Sequence, residues 1–143
     1  MPSSWGLYSA SYGMLTAYQI GTNIRVAIKQ MDLDKQQNKD LIINEILVMR
    51  TSYHSNIVNY IHSFLYKNEI WIVMEYMEGG SLMDVVTENL MTEGQIAAVS
   101  REIALGLQHL HKHGVIHRDI KSSNVLLSLT GDVKLSTYYD VLT

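Results

Sequence analysis

Runs of apolar and β-branched residues separated by short polar turns predict strands in the first half of the chain. Four segments have this pattern, at 14–20, 24–31, 56–65 and 69–76. The tripeptide Gly21-Thr22-Asn23 is typical of a tight turn between the first two segments, and Tyr66-Lys67-Asn68 separates the last two. The pattern therefore predicts two hairpins.

A helix is predicted between these hairpins, because apolar residues recur there every three or four positions. Its apolar stripe consists of Leu41, Ile42, Ile46 and Met49. Glu45 lies on or beside this stripe, and a carboxylate in such a position needs a partner.

A longer helix is predicted to begin at a capping box formed by Thr92 and Gln95 and to end near Gly114. Its apolar stripe contains Ile96, Val99, Ile103, Leu107 and Leu110. A small hairpin follows, from 125–127 and 133–135. Strands with one helix, followed mostly by helix, indicate an α+β fold with two lobes. We expect a five-stranded small lobe with one helix, and a long helix that leads into the loop around Asp119.

Composition supports one folded domain and excludes several classes of function. Of the 143 residues, 47% are hydrophobic and 17% charged, and the only proline is Pro2, so no linker divides the chain. The net charge of -3, without a cluster of basic residues, argues against binding to nucleic acid. No apolar run approaches the roughly 20 residues of a membrane span. The chain has no cysteine and no signal-peptide pattern, so we expect a cytoplasmic location.

The segment from His117 to Asn124 reads HRDIKSSN and matches the protein kinase catalytic-loop pattern H-R-D-x-x-x-x-N at every fixed position. Phosphoryl transfer to a hydroxyl needs a carboxylate that orients the hydroxyl and accepts its proton, and Asp119 suits this role. The amide oxygen of Asn124 suits a Mg²⁺ ligand. The alternative interpretation is a polar surface loop after a helix.

The segment Val26-Ala27-Ile28-Lys29 resembles the kinase strand that carries the phosphate-binding lysine. Strand alternation places Ala27 and Lys29 on the same face, where a small residue can cover an adenine ring and an ammonium can reach phosphates. The predicted helix supplies Glu45 as the expected ion-pair partner of Lys29. Taken by itself, the segment could also be an ordinary strand with an exposed lysine.

Several blocks together resemble the PAK group of Ste-type serine/threonine protein kinases over about 16–135: VAIKQM, LIINEILVMR, NIVNY, VMEYMEGGSL, TEGQIAAV and VIHRDIKSSNVLL. The resemblance implies a partial protein kinase domain, with the small lobe at about 14–76 and the hinge, first large-lobe helices and catalytic loop at 77–143. It implies ATP and Mg²⁺ as cofactors, and a protein substrate or a kinase partner. The family's GTPase-binding segment is not found in the sequence.

The same resemblance implies roles for individual residues. Met74 corresponds to the gatekeeper behind the adenine, and Glu75 and Met77 to the hinge whose backbone pairs with it. Leu126 corresponds to the residue beneath the ring. Lys121, two residues after Asp119, resembles the serine/threonine type of kinase rather than the tyrosine type.

Two parts of the chain depart from the family pattern. Where a glycine-rich loop should cover the phosphates, the chain reads Leu7-Tyr8-Ser9-Ala10-Ser11-Tyr12, and Gly6 and Gly13 have the wrong spacing. Thr137 occupies the place of the aspartate that is the family's main Mg²⁺ ligand. We therefore expect Mg²⁺ binding to be weak or absent and catalysis to be impaired.

The chain ends at Thr143, ahead of the family's activation segment, so we expect the helix face at Val99, Leu107 and Leu110 to lack part of its cover. The histidines at 109, 111 and 113 are spaced by two, which predicts solvated side chains on different helix faces rather than a metal site.

Three functions remain open from the sequence. The first is an ATP-dependent serine/threonine kinase that uses Lys29, Glu45, Asp119, Lys121 and Asn124. The second is a non-catalytic pseudokinase fragment that binds nucleotide or a kinase partner. The third is the product of a decayed coding sequence without a selected function.

Overall fold

A five-stranded antiparallel sheet forms the first part of the computed structural model, which describes residues 5–11, 14–35 and 39–136. The strands are β1 (Trp5–Ser11), β2 (Met14–Gln19), β3 (Arg25–Asp32), β4 (Tyr60–Tyr66) and β5 (Glu69–Glu75), in the spatial order β1-β2-β3-β5-β4. One helix, α1 (Lys39–Thr51), lies between β3 and β4 in the chain. The predicted five strands and single helix are confirmed.

The two faces of this sheet differ as strand alternation requires. Val26 and Ile28 of β3 are fully buried, and they pack in one apolar cluster with Leu15 and Ala17 of β2 and with Val73 of β5. Ala27 and Lys29 of β3 point to the opposite face and are half-buried, whereas Met31 on that face is buried. Burial of these side chains on one face fixes the register of the strands. The positions of the residues on the other face are thereby fixed as well.

Contacts divide the chain into two units, and the second contains the catalytic-loop sequence. The first unit consists of Met1–Arg50 and Asn59–Tyr76, and the second of Thr51–Val58 and Met77–Thr143. The elements of the second unit are α2 (Leu82–Glu88), α3 (Glu93–Lys112), a 3₁₀ turn at Ser122–Asn124, β6 (Val125–Leu127) and β7 (Val133–Leu135). Strands and helices within these two units confirm the α+β class.

The sequence analysis did not predict α2. The hydroxyl of Ser81 accepts a hydrogen bond from the backbone N–H of Asp84 at 3.2 Å, and the Asp84 carboxylate accepts one from the Ser81 N–H at 3.0 Å. This is the same capping box that correctly predicted the start of α3 at Thr92 and Gln95.

The predicted strand at 56–65 begins too early, since β4 starts at Tyr60. Residues 56–58 belong to the second unit, where Ile57 forms a parallel bridge with Leu135 and the Val58 N–H donates to the Leu135 carbonyl at 2.9 Å. The Asn56 side chain donates to Glu102 at 2.7 Å and to the Val133 carbonyl at 3.0 Å. Burial of Asn56 and its neighbours against β7 and α3 explains the apolar pattern that we assigned to β4.

The expected uncovered helix face is wrong for Leu110, which is fully buried in the second unit's core. Val99 and Leu107 are half-buried against that core. The core itself consists of Ile57, Leu110, Val125, Val133 and Leu135. Residues 51–58 and the β6–β7 hairpin therefore supply cover that we did not anticipate.

Close approach of the chain to α3 requires a glycine at position 106. A Cβ atom there would lie 2.8 Å from the carbonyl oxygen of Asn56, nearer than real side chains approach backbone atoms. This glycine lets residues 51–58 lie directly on the helix.

The prediction of solvated histidines on different faces is wrong for His109, which is half-buried. His109 and His113 are four residues apart, so they share a face of α3, and their rings are in tilted contact with centroids 4.4 Å apart. Within the described ranges, no group of three or more histidine, cysteine, aspartate or glutamate residues is arranged to hold a metal ion. No helix in those ranges has the length and apolar character needed to cross a membrane.

Candidate functional site

The catalytic-loop sequence is anchored by His117, which is buried. Its Nε2 donates to the carbonyl oxygen of Ser136 at 2.8 Å, and its Nδ1 accepts from the N–H of Asp119 at 3.3 Å. The imidazole thus links the start of the loop to the residue that follows β7. Arg118, between the two bonded residues, has a left-handed backbone with φ of 65°. The turn at this point directs Asp119 away from the buried histidine.

The Asp119 carboxylate contacts two polar side chains that were predicted as site residues, those of Lys121 and Asn124. Asn124 donates from Nδ2 to Oδ2 of Asp119 at 2.7 Å and to the Asp119 carbonyl at 2.9 Å. The Lys121 ammonium lies 2.8 Å from the same carboxylate oxygen. The 3₁₀ turn at Ser122–Asn124 brings Asn124 back to Asp119, five positions earlier in the chain.

These contacts control the charge of Asp119. The hydrogen bond from Lys121 holds the pKa of the Asp119 carboxyl below its ordinary value of 3.8, with further help from Asn124 and against some desolvation. The side chain is about one-third exposed, so a hydroxyl can approach it. At neutral pH the group is an ionised, accessible carboxylate that can accept a hydrogen bond from a hydroxyl and receive its proton.

Asn124 supplies little for a divalent cation on its own. Its amide nitrogen is engaged by Asp119, which leaves Oδ1 as the atom that would bind a metal. A neutral amide oxygen is a weak ligand for Mg²⁺, which prefers charged oxygens in an octahedral arrangement. Mg²⁺ binding at Asn124 therefore stays a prediction.

Candidate nucleotide-binding residues of the first unit lie across two neighbouring strands. Ala27 of β3 stands directly opposite Met74 of β5, so both side chains point to the same face. Lys29 follows two residues later on that face, opposite Ile72. Ala27 and Lys29 are half-buried, and Met74 is buried. This face of the sheet therefore carries a small residue, Ala27, beside an apolar one, Met74, with the ammonium group of Lys29 further along β3.

Backbone groups at the end of β5 are partly engaged within the first unit. The Glu75 N–H donates to the Asn59 carbonyl at 3.0 Å, and the Glu75 carboxylate accepts from the Asn59 N–H at 2.6 Å. An adenine contact by Glu75 would therefore use its carbonyl oxygen rather than its N–H.

Two predicted nucleotide-binding residues lie in the second unit. The Met77 side chain is buried, and its carbonyl accepts a hydrogen bond from the Gly80 N–H at 3.3 Å. Leu126 of β6 is half-buried and forms an antiparallel bridge with Ser81. The turn after Met77 is thus fixed to the strand that follows the catalytic loop.

Some predicted site residues lie outside the described residues. The side chain of Glu45 and all of Tyr12, Gly13 and Thr137 are among them. The Lys29–Glu45 ion pair and the role of Thr137 therefore stay predictions. The backbone from Leu7 to Ser11 is described, and it belongs to β1, which pairs with β2 through a register shift between Leu7 and Ser9.

The sequence analysis gave no role to the bond between His117 and Ser136. His117 is part of the catalytic-loop motif, but the sequence does not indicate that its ring is buried. Nothing in the sequence points to Ser136 as its partner. The Ser136 N–H and hydroxyl also donate to the Asn124 carbonyl, at 2.9 and 3.2 Å. Ser136 therefore positions both ends of the loop that carries Asp119.

We predict that Lys121→Met raises the pKa of Asp119 toward 3.8, because it removes the hydrogen bond that lowers this pKa most. Carboxyl-carbon NMR titration of the two chains measures the change. Lys134→Met is the matched control, since Lys134 acts on Asp132 instead. An unchanged Asp119 pKa in Lys121→Met would contradict the geometry described above.

Comparison with known proteins agrees with these features. The model of the protein kinase domain family matches residues 10–138. A serine/threonine-protein kinase SMU1 from Mycosarcoma maydis is 72% identical over 129 residues, which is 90% of this chain and 17% of that protein. STE20 from Saccharomyces cerevisiae is 63% identical and pakA from Talaromyces marneffei 65% identical, again over 90% of this chain. The chain spans 14% and 20% of the lengths of those two relatives.

Proposed function

The chain belongs to the protein kinase family, and we propose that it is a serine/threonine-type member that binds ATP but is impaired in phosphate transfer. Its high-identity relatives are STE20/PAK serine/threonine kinases. Because the chain corresponds to a small share of their length, activity, substrate and partners are inferred from its own residues. We assign 14–76 to the small lobe of the kinase domain and 77–143 to the hinge, the first large-lobe helices and the catalytic loop.

The observation that carries the proposal is the cluster of Asp119, Lys121 and Asn124. An ionised carboxylate with a lysine at 2.8 Å and an amide at 2.7 Å can orient a serine or threonine hydroxyl and accept its proton. Lys121 is also placed to stabilise negative charge that develops nearby. ATP, when bound, would supply the transferable phosphoryl group.

Nucleotide binding is supported by the face that carries Ala27, Lys29 and Met74. A small residue leaves room for a flat ring, and the buried Met74 side chain provides an apolar wall beside it. The Lys29 ammonium on the same face suits a phosphate oxygen. We assign adenine contacts to the backbone of Glu75 and Met77 and to the Leu126 side chain.

Impaired transfer is supported by two sequence features. The stretch Leu7–Tyr12 carries side chains where close backbone approach to phosphates requires glycine. Thr137 provides no anionic oxygen in place of the expected aspartate, and the amide of Asn124 does not replace it. Phosphoryl transfer depends on positioning and charge neutralisation, so these losses leave Asp119 without an activated phosphate.

The same observations favour a second candidate function, a non-catalytic module. Such a module would bind nucleotide weakly or compete for a kinase partner through surfaces shared with STE20/PAK kinases. We propose a cytoplasmic location for either function, since ATP and protein partners would be available there. The product of a decayed coding sequence is the third possibility, and a complete lack of nucleotide binding would favour it.

Nucleotide binding provides the test of this proposal. We expect ATP to raise the melting temperature of the chain, and added Mg²⁺ to improve affinity less than tenfold, or about 1.4 kcal/mol. Ala27→Leu should abolish the ATP-induced shift, because its larger side chain fills the space proposed for the adenine. The measurement is thermal unfolding across an ATP titration, with and without Mg²⁺.

The control is Ala104→Leu, at an exposed position of α3 in the second unit. It makes the same chemical change and should leave the ATP response intact. A response that survives Ala27→Leu, or an affinity gain of tenfold or more with Mg²⁺, would contradict the proposed mode of binding.

A further inference from the structure

Three histidine rings stack where residues 51–58 lie on the end of α3. The ring centroids of His54 and His109 are 4.6 Å apart, and those of His109 and His113 are 4.4 Å apart. His109 is the central ring, and it is half-buried between a residue of the segment and a residue of the helix. The three rings have no role in the function proposed above.

Hydrogen bonds engage Nδ1 of both outer rings. The Asn56 N–H donates to Nδ1 of His54 at 3.0 Å, so this nitrogen carries no proton in the observed arrangement. Nδ1 of His113 donates to the carbonyl oxygen of His109 at 2.8 Å. Protonation of His54 at Nδ1 would place two N–H groups against each other and break the contact with Asn56.

The central ring has no means of stabilising a second proton. Its Nε2 is buried, and it has no hydrogen-bond partner in the described structure. Burial lowers the pKa of His109 below its ordinary value of 6.5, and the neighbouring His54, His113 and Lys112 lower it further. All three neighbours carry positive charge when protonated. The carboxylate of Glu102 on α3 accepts a hydrogen bond from the Asn56 amide.

We propose that the stack of His54, His109 and His113 is a proton-sensitive latch, which holds residues 51–58 on α3 while the rings are neutral and releases them on protonation. Neutral rings can stack closely, whereas two or three imidazolium ions at these distances repel each other. The attachments of the segment at Asn56, Ile57 and Val58 to α3 and β7 do not involve the rings.

The sign of the pH dependence follows from His109. A histidine whose pKa is lower in the folded chain binds fewer protons there than in the released state. The contribution of neutral His109 to holding residues 51–58 on α3 is therefore present above about pH 6.5. It is lost as the pH falls through the lowered pKa of His109. Lower pH must favour release.

Hydrogen exchange of the full chain tests the latch. We expect exchange in residues 52–58, corrected for its intrinsic pH dependence, to be severalfold faster at pH 5.5 than at pH 7.5. Strand β5 serves as the internal reference and should show no such change. In the double variant His54→Phe and His109→Phe, the rings remain aromatic but cannot be protonated, so the pH difference in residues 52–58 should disappear.

His111→Gln is the matched control, because His111 is exposed on the same helix and takes no part in the stack. It should retain the full pH difference. If the double variant does not fold, NMR titration of the imidazole groups in the unmodified chain tests the proposal instead by measuring the pKa of His109. A pKa of His109 at or above 6.5, equal exchange at both pH values, or a pH difference that persists in the double variant would overturn the proposal.

Discussion

Thr137→Asp is expected to leave phosphate transfer to a serine peptide at the background level. The substitution restores an anionic oxygen at one position, but the stretch Leu7–Tyr12 still lacks the glycines that would let the backbone grip phosphates. Residues that act together in catalysis give strongly non-additive effects when they are restored singly. Each missing 1.36 kcal/mol of transition-state stabilisation costs a tenfold loss of rate.

The measurement is transfer of radiolabelled phosphate by the purified variant. Thr137→Ser is the matched control, because serine keeps a hydroxyl and adds no charge. We expect the two variants to be indistinguishable. Turnover in Thr137→Asp at least tenfold above Thr137→Ser would show that the metal-binding position alone limits the chain.

Leu110→Ala is expected to destabilise the second unit by about 2–5 kcal/mol. Leu110 is fully buried among Ile57, Val125, Val133 and Leu135, so truncation leaves a cavity between α3, β6 and β7. These elements position His117 and Ser136, and the variant should also loosen the Asp119 loop. Chemical denaturation followed by circular dichroism measures the change in unfolding free energy.

Leu129→Ala provides the comparison, because Leu129 lies in the turn between β6 and β7 and is 81% exposed. Its effect should fall within about 0.5 kcal/mol of zero. Equal effects of the two substitutions would mean that Leu110 does not pack as the structure shows.

Local chemistry made most elements predictable from the sequence. The turn at 21–23, the polar linker at 66–68 and the Thr92 capping box each act through neighbouring residues, and the corresponding elements are present. The start of β4 was not predictable in this way. Asn56 and Ile57 look like strand residues, but contacts with Val133 and Leu135, nearly 80 residues away in sequence, decide their position.

The same difference between local and long-range contacts applies to the candidate site. Asp119, Lys121 and Asn124 lie within six residues, so contacts along one short loop bring them together. The bond from His117 to the Ser136 carbonyl joins residues 19 positions apart and depends on how β7 pairs with β6. Likewise, the histidine stack depends on His54 reaching α3, which helical periodicity alone does not reveal.

Phosphate transfer by the unmodified chain tests whether its catalysis is impaired. The assay uses radiolabelled ATP, Mg²⁺ and a serine peptide, with Asp119→Asn as the matched variant that keeps the shape of the side chain and removes its charge. We predict that both chains give the same background signal, although the unmodified chain binds ATP in the thermal assay. Clear turnover by the unmodified chain that Asp119→Asn abolishes would contradict our account and identify the chain as an active kinase.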